Sequence, residues 1–290
     1  MSVPHVSIVI PFLNEERFLR EAIESVFAQT HDAWELVLVD DGSSDQSTEI
    51  ALECASRFRD RVCYVTHADG QTHGLPASRN RGIAHAKHDY LAFLDADDVW
   101  LPQKLEQQTE LLSAHPEVGM LYGLSQWWYS WSGLSDDLGR DFVHKLGIPA
   151  GVVMRAPSLL RPFFVAQEAA IPNPTNILVR RSLIELVGGF EESFPHVYED
   201  QAFYAKVCVH ASVLAADSCW DRYRQRPGSR TGRVVREREK DAARVRFLTW
   251  LIAYISKHGV DDEICAALSR QRKRYANRRL VRIRRIRLRA

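Results

Sequence analysis

Three carboxylates crowd into four positions in YLAFLDADDVW, residues 90–100, where an apolar run meets Asp95, Asp97 and Asp98. Like charges that close repel one another, and at the end of a buried strand they also cost desolvation. Two arrangements relieve the cost. In a solvent-screened turn, Asp98 or a neighbour caps a following helix. Alternatively, a hard divalent cation such as Mg²⁺ or Mn²⁺ reverses the repulsion, because such ions take carboxylate oxygens and bridge to phosphates. A second acidic pair, Asp40 and Asp41, ends the run ELVLVD and enters the turn-rich DDGSSD. A third pair, Glu199 and Asp200, opens a helical pattern, where acids are also ordinary partners of the helix dipole.

The surrounding pattern says which elements place these groups. VSIVIP (6–11), ELVLVD (35–40), residues 62–66 and residues 90–94 read as buried parallel strands. Helical spacing follows each one, over residues 15–29 with Asn14 as N-cap, 47–57, 77–86 and 101–114. Such alternation predicts right-handed crossovers and a mainly parallel α/β sheet. Open sheets of this kind bind ligands outside the carboxyl ends of their strands, where Asp40, Asp41, Asp95 and Asp97 fall. Residues 120–175 give no clear period. Beyond them, 176–180 reads as a strand, a short helix runs to Val187, and 198–210 reads as a helix. From Glu237 the pattern is helical and increasingly basic.

Composition narrows the class. The chain has 290 residues, 46% hydrophobic and 26% charged, with a net charge of +1, ordinary for a globular protein that is not a polyanion binder as a whole. Five scattered cysteines form no CxxC pair, which argues against a disulfide framework or structural zinc and favours a reducing cytoplasm. The N-terminus has no basic region before its short apolar run, so no signal peptide is expected. No apolar stretch approaches the roughly 20 residues of a membrane span. No GxGxxG follows the first strand, which disfavours a dehydrogenase.

The stretches VSIVIPFLNEERFLREAIESVFAQT, ELVLVDDGSSDQS, ASRNRGIAHAKHDYLAFLDADDVWLPQKLE, RRSLIELVGGFEE and YEDQAFYAKV resemble, in order and spacing, the family 2 glycosyltransferases of the GT-A fold. The resemblance covers roughly residues 4 to 230. It implies a Rossmann-like nucleotide-sugar-binding half over 1–120, an acceptor-binding half over 121–235, and a helical basic extension over 236–290. It implies inverting transfer of a sugar from a nucleotide diphosphate sugar, a UDP-sugar before others, to an acceptor hydroxyl. A divalent cation, Mn²⁺ or Mg²⁺, would assist. By resemblance Asp97 is the direct metal ligand, and Asp95 faces the ribose or the metal's water shell. Asp41 accepts from the base N–H, and Pro11, Leu13 and Glu15 line the nucleoside pocket. Arg79 approaches the pyrophosphate. Asp200 is the base that takes the acceptor proton, with Glu199 orienting the acceptor or the loop.

YRQRPGSRTG (223–232) resembles the segment that closes over the donor, and departs from the family pattern. Many members carry a histidine where this chain has Arg226. Arginine cannot ligate a metal, but its fixed charge suits a leaving diphosphate. Either the metal has fewer protein ligands or metal dependence is weaker. QxxRW is missing there, which argues for single additions. The cluster Trp127, Trp128, Tyr129 and Trp131 has three readings: core packing, stacking on an acceptor sugar (Trp128 foremost), or the membrane interface. Residues 270–290 hold eleven Arg or Lys and no acid, interleaved with apolar residues, the pattern of an amphipathic element on anionic lipid. That would suit a glycan or lipid-linked acceptor and a cytoplasmic enzyme peripheral at the inner membrane face, in polysaccharide, lipopolysaccharide or other glycoconjugate synthesis. No nucleic-acid motif accompanies the tail. The competing readings are a sugar nucleotidyltransferase and a non-catalytic nucleotide- or sugar-binding scaffold.

Overall fold

A computed structural model describes residues 3–226 and 237–287 of the chain, and the side chains of these except 237–239 and 279–287. The first strand, β1 (Val6–Phe12), is buried at every position, as expected of a strand covered on both faces. It pairs in parallel with β2 (Trp34–Asp40) on one side and β4 (Tyr90–Phe93) on the other, and β2 pairs in parallel with β3 (Val62–Thr66). Between these strands run α1 (Leu19–Phe27), α2 (Ser47–Arg57) and α3 (Leu75–His85). The alternation of strand residues divides the core. Val6, Ile8, Ile10 and Phe12 meet α1 and α4 (Lys104–Ala114), while Val9, Val37 and Phe93 face the opposite helical layer.

Beyond β4 the sheet is mixed. Its order is β3-β2-β1-β4-β9-β6-β10-β5, with β5 at Val99–Trp100, β6 at Val118–Trp128, β9 at Leu178–Arg180 and β10 at Ser212–Arg224. The β9 strand runs antiparallel to both neighbours, and β10 pairs in parallel with β6. The excursion after β6 adds two short edge strands, β7 (Phe142–Val143) on β6 and β8 (Val153–Met154) on β10. The expectation of a parallel sheet therefore holds for β1 to β4, and β6 and β10 keep that direction, while β9, reached after the long excursion that follows β6, runs against it between β4 and β6.

Helix α1 begins at Leu19, not at Glu15, and Asn14 is not its N-cap. Asn14 adopts a left-handed φ of 55°, and its Oδ1 accepts the Ser44 N–H at 2.8 Å. Ser47 Oγ accepts the Glu15 N–H at 2.8 Å. These bonds lash residues 14–16 to the β2 exit loop, so the chain runs along the strand ends before it coils.

On the second face, α5 (Arg181–Val187) and α6 (Glu199–His210) pack under α7 (Glu237–Lys257) and α8 (Asp262–Arg287). Phe247, Leu248, Leu251 and Ile255 of α7, with Ile264 and Leu268 of α8, join the same buried cluster as Phe203 and Val207 of α6. Gln271 Nε2 donates to the carbonyls of Phe164 and Val165. The start of the basic helix is thus seated on the domain. Residues 227–232 of the YRQRPGSRTG segment, and the side chains of 279–290, lie outside the described residues. Among the described residues no helix is long and apolar enough to cross a membrane.

Candidate active site

The exits of β1, β2 and β4 converge on a cleft of about 180 Å³. Pro11, Leu13 and Glu15 arrive from β1, Asp41 from β2, and Asp95 and Asp97 from β4. Arg79 rises from α3, Glu199 and Asp200 from the start of α6, and Arg226 from just past β10. Ten sequence-predicted residues therefore share one cavity. Trp128 does not line it. The Arg224 guanidinium lies 4.4 Å above the Trp128 ring and that of Arg222 5.3 Å above it. Trp131 donates its indole N–H to Gln225 O at 2.8 Å, and Trp127 stacks on Phe142. The aromatic cluster packs beside the cleft and holds the end of β10.

The two acidic exit loops are built differently. Asp40 Oδ1 accepts the backbone N–H groups of Gly42 and Ser43, and its Oδ2 accepts from Thr48 Oγ1 and Tyr64 Oη. It is spent on turning the loop, and burial and this carboxylate push the Tyr64 phenol up to about 12. Asp41 faces the cleft, yet it accepts from His73 N at 2.8 Å, Gly74 N at 3.1 Å and Ser78 Oγ at 2.9 Å. Those bonds fix its carboxylate in one orientation.

Asp95, Asp97 and Asp98 separate in role. Asp98 is buried, accepting the Arg224 N–H at 2.9 Å and the Thr175 hydroxyl at 2.9 Å. Burial and the neighbouring acids raise its pKa well above the ordinary carboxylate value. It buttresses the loop. Asp95 Oδ1 accepts from Arg79 Nη2 at 2.6 Å. Arg79 is only 1% exposed, lies 5.1 Å from the Phe190 ring centre, and brings Nη1 to 3.6 Å from Glu199. It is a buried bridge from the β4 exit to α6, not the surface arginine that a helix position would suggest. Asp97 Oδ2 accepts from Arg226 Nε at 2.8 Å, and Arg226 Nη2 donates to Glu15 Oε1.

At the far wall, burial pushes the Glu199 carboxyl up to about 7, Asp200 beside it adds to the effect, and Arg79 opposes it. Burial also raises the pKa of Asp200, whose Oδ1 accepts the Gln201 N–H at 2.6 Å. Tyr204, fully buried one turn along α6, is raised by burial and then by Asp200.

Several structuring residues escape sequence reasoning. Arg224, 4% exposed, donates its Nε to Asp97 O at 2.7 Å and its Nη2 to Glu21 at 2.6 Å, and so bolts β10 to the acidic loop. Asn173 lines the cleft and donates to Ser125 Oγ at 3.1 Å. Asn176 bonds Asp221, whose carboxyl is pushed up to about 6 by burial. The one available signal was NPTN (173–176), a turn-forming run with three side chains able to hydrogen-bond.

A mixed sheet whose strand ends gather acids over a cleft is the architecture of GT-A type glycosyltransferases. TarS of S. aureus, solved with UDP-GlcNAc, superposes with a TM-score of 0.64 at 20% identity over 86% of this chain and 66% of that one. The mannosyltransferase PcManGT of Pyrobaculum calidifontis, solved with GDP-Man and Mn²⁺, superposes with a TM-score of 0.56 at 20% identity over 92% and 69% of the two chains. The sequence model of Glycosyl transferase family 2 matches residues 7–187, and the chain belongs to that family. EpsE of Bacillus subtilis (strain 168), which carries the name of a glycosyltransferase, is 39% identical over 114 residues, 39% of this chain and 40% of EpsE. TuaG of the same organism, whose name assigns it to teichuronic acid biosynthesis, is 34% identical over 38% of this chain and 42% of TuaG. The chain thus matches less than half the length of these relatives.

Proposed function

We propose that this glycosyltransferase moves a sugar, with inversion, from a nucleoside diphosphate sugar to a hydroxyl of a glycan or lipid-linked acceptor, a UDP-sugar being the first donor to test. The observation that carries this reading is the meeting of Asp41, Asp95, Asp97, Arg79 and Arg226 with Asp200 in one cleft at the strand ends. The similar fold of proteins bound to UDP-GlcNAc and to GDP-Man and Mn²⁺ supports it.

In this reading Pro11, Leu13 and Glu15 pack against the nucleoside and Asp41 accepts from the base. Arg79 and Arg226 supply positive charge toward the diphosphate. Asp200 takes the acceptor proton as the oxygen attacks. Its raised pKa makes it a stronger base than an exposed aspartate. Glu199 orients the acceptor or the α6 start from beside it, and Trp128, beyond the cleft lining, is left to an acceptor that reaches past it.

No group of three or more metal-ligating side chains occurs among the described residues. The donor set fits a hard cation all the same, because Asp95 and Asp97 offer carboxylate oxygens at the cleft and such ions complete their shell with phosphate and water. Bound there, Mg²⁺ or Mn²⁺ would offset charge on the leaving diphosphate. The basic run 270–290 and the name of TuaG support work on a polysaccharide or related glycoconjugate at the inner face of a membrane.

Calorimetric titration with UDP, GDP and dTDP, each with and without Mn²⁺, tests the donor site. Metal-dependent binding of one nucleotide is expected. A folded protein that binds none of them would favour the scaffold reading.

A further inference from the structure

We infer that Arg226 occupies the cation site in the free protein, so that a divalent ion binds only once a nucleotide has drawn this arginine away. The inference rests on the donor reading above. Arg226 stands where the chain leaves β10, and its fork joins two walls of the cleft: Nε to Asp97 at the β4 exit, and Nη2 to Glu15 beyond β1. All three side chains are largely withdrawn from solvent, with exposures of 22% for Arg226, 17% for Glu15 and 19% for Asp97. Salt therefore screens the contact poorly.

A guanidinium cannot shed its charge. While it pairs with Asp97, a divalent cation approaching the same carboxylate meets a fixed positive charge and an occupied oxygen. The other carboxylate of the candidate site has one oxygen committed, since Asp95 Oδ1 pairs with Arg79 at 2.6 Å, and keeps its second oxygen for a cation. These two arginines are not equivalent. Arg79 is buried against Phe190 and tied to Asp95 and Glu199, so it stays. Arg226 is held through its tip by two carboxylates, and retains enough exposure to swing. What releases it is a better anion. A nucleoside diphosphate offers adjacent phosphoryl oxygens to the same fork, at higher charge than either carboxylate.

The cleft volume agrees. At about 180 Å³ it is below the ~300–1,000 Å³ usual for small-molecule sites. A nucleotide sugar needs more room than that, and the Glu15–Arg226–Asp97 bridge ties the β1 wall of the cleft to the β4 wall. Nucleotide entry and the freeing of Asp97 are then one event.

The test is Mn²⁺ binding, read from the free-ion electron paramagnetic resonance signal, for the wild type, Arg226→Ala and the double variant Arg226→Ala with Asp97→Asn. Each is measured alone and with UDP or GDP, and melting curves establish that all three are folded. Without nucleotide, the wild type should leave Mn²⁺ free. Arg226→Ala should bind it at least about tenfold more tightly, the effect of removing one fixed charge from a half-buried site. The double variant should lose that gain. Adding UDP or GDP should recruit Mn²⁺ to the wild type and change Arg226→Ala much less. Equal nucleotide-free affinities in the wild type and Arg226→Ala would overturn the inference, as would a gain that survives Asp97→Asn. If the gain requires Asp97 but neither nucleotide recruits Mn²⁺ to the wild type, the blocking contact stands, and the donor reading and the nucleotide trigger fall.

Discussion

Glu199 gives the molecule a measurable pH response. It opens α6 within the cleft with its side chain 14% exposed. Burial first, and Asp200 second, move its carboxyl from the ordinary 4.5 to about 7, against the pull of Arg79. A carboxyl raised on folding holds its proton more tightly in the folded chain. Its contribution is fully present below about 4.5 and is lost as pH rises through about 7. Between pH 5 and pH 8 the linkage relation gives about 2–3 kcal/mol of lost stability from this group. Glutamine keeps the shape and cannot ionise, so Glu199→Gln removes that slope. Asp97, Asp98, Asp200 and Asp221 are raised too, so both proteins should weaken as pH rises, and the difference between them isolates Glu199. Urea unfolding at pH 5, 6, 7 and 8 measures it. The wild type should lose about 2–3 kcal/mol more than Glu199→Gln from the first pH to the last. Parallel curves for the two proteins would refute the argument, because they would mean that Glu199 has the same proton affinity folded and unfolded.

Asp200→Asn should leave nucleotide binding unchanged and lower sugar transfer by roughly 10²–10⁴-fold; near-normal transfer would remove Asp200 from the role of base. Asp97→Asn should weaken nucleotide binding in the presence of Mn²⁺ and tighten it modestly in its absence, because Arg226 no longer has to leave that carboxylate, both read by calorimetry. Gly82→Ala should destabilise by about 1–3 kcal/mol, because its Cβ would lie 2.3 Å from Val9 Cγ1 where α3 crosses β1, outweighing the ~1 kcal/mol a helix gains from alanine. Removing residues 279–290 keeps the Gln271 anchor and should reduce sedimentation with anionic vesicles in a salt-sensitive way. Vesicle binding equal to that of the full chain would count against a membrane role for those residues.

How far the sequence reveals this molecule depends on what each strand has to bury. β1 is covered on both faces, so it needs an unbroken apolar run, and VSIVIP shows one. β6 and β10 carry no such run although they pair along most of their lengths. In β6 the run breaks at Gly123, where a Cβ would meet the Trp220 ring at 2.6 Å and Ser218 O at 2.5 Å. The glycine that looks like a breaker is what lets the two strands approach. β10 slips register between Ala215 and Cys219 and again before Asp221, so its inward and outward positions exchange midway and no period of two survives. The site divides in the same way. Carboxylates at the ends of legible strands could be placed, because a strand end fixes where a side chain emerges. Their partners could not. Arg224 reaches Asp98 across 126 positions and Arg226 reaches Glu15 across 211, one at the end of the strand whose pattern the bulges erase and the other just past it. An arginine in a polar run looks the same whether it faces water or bridges two acids. Only the sheet order, which carries the end of β10 past the β4 exit, turns Arg226 from a surface charge into a candidate occupant of the cation site.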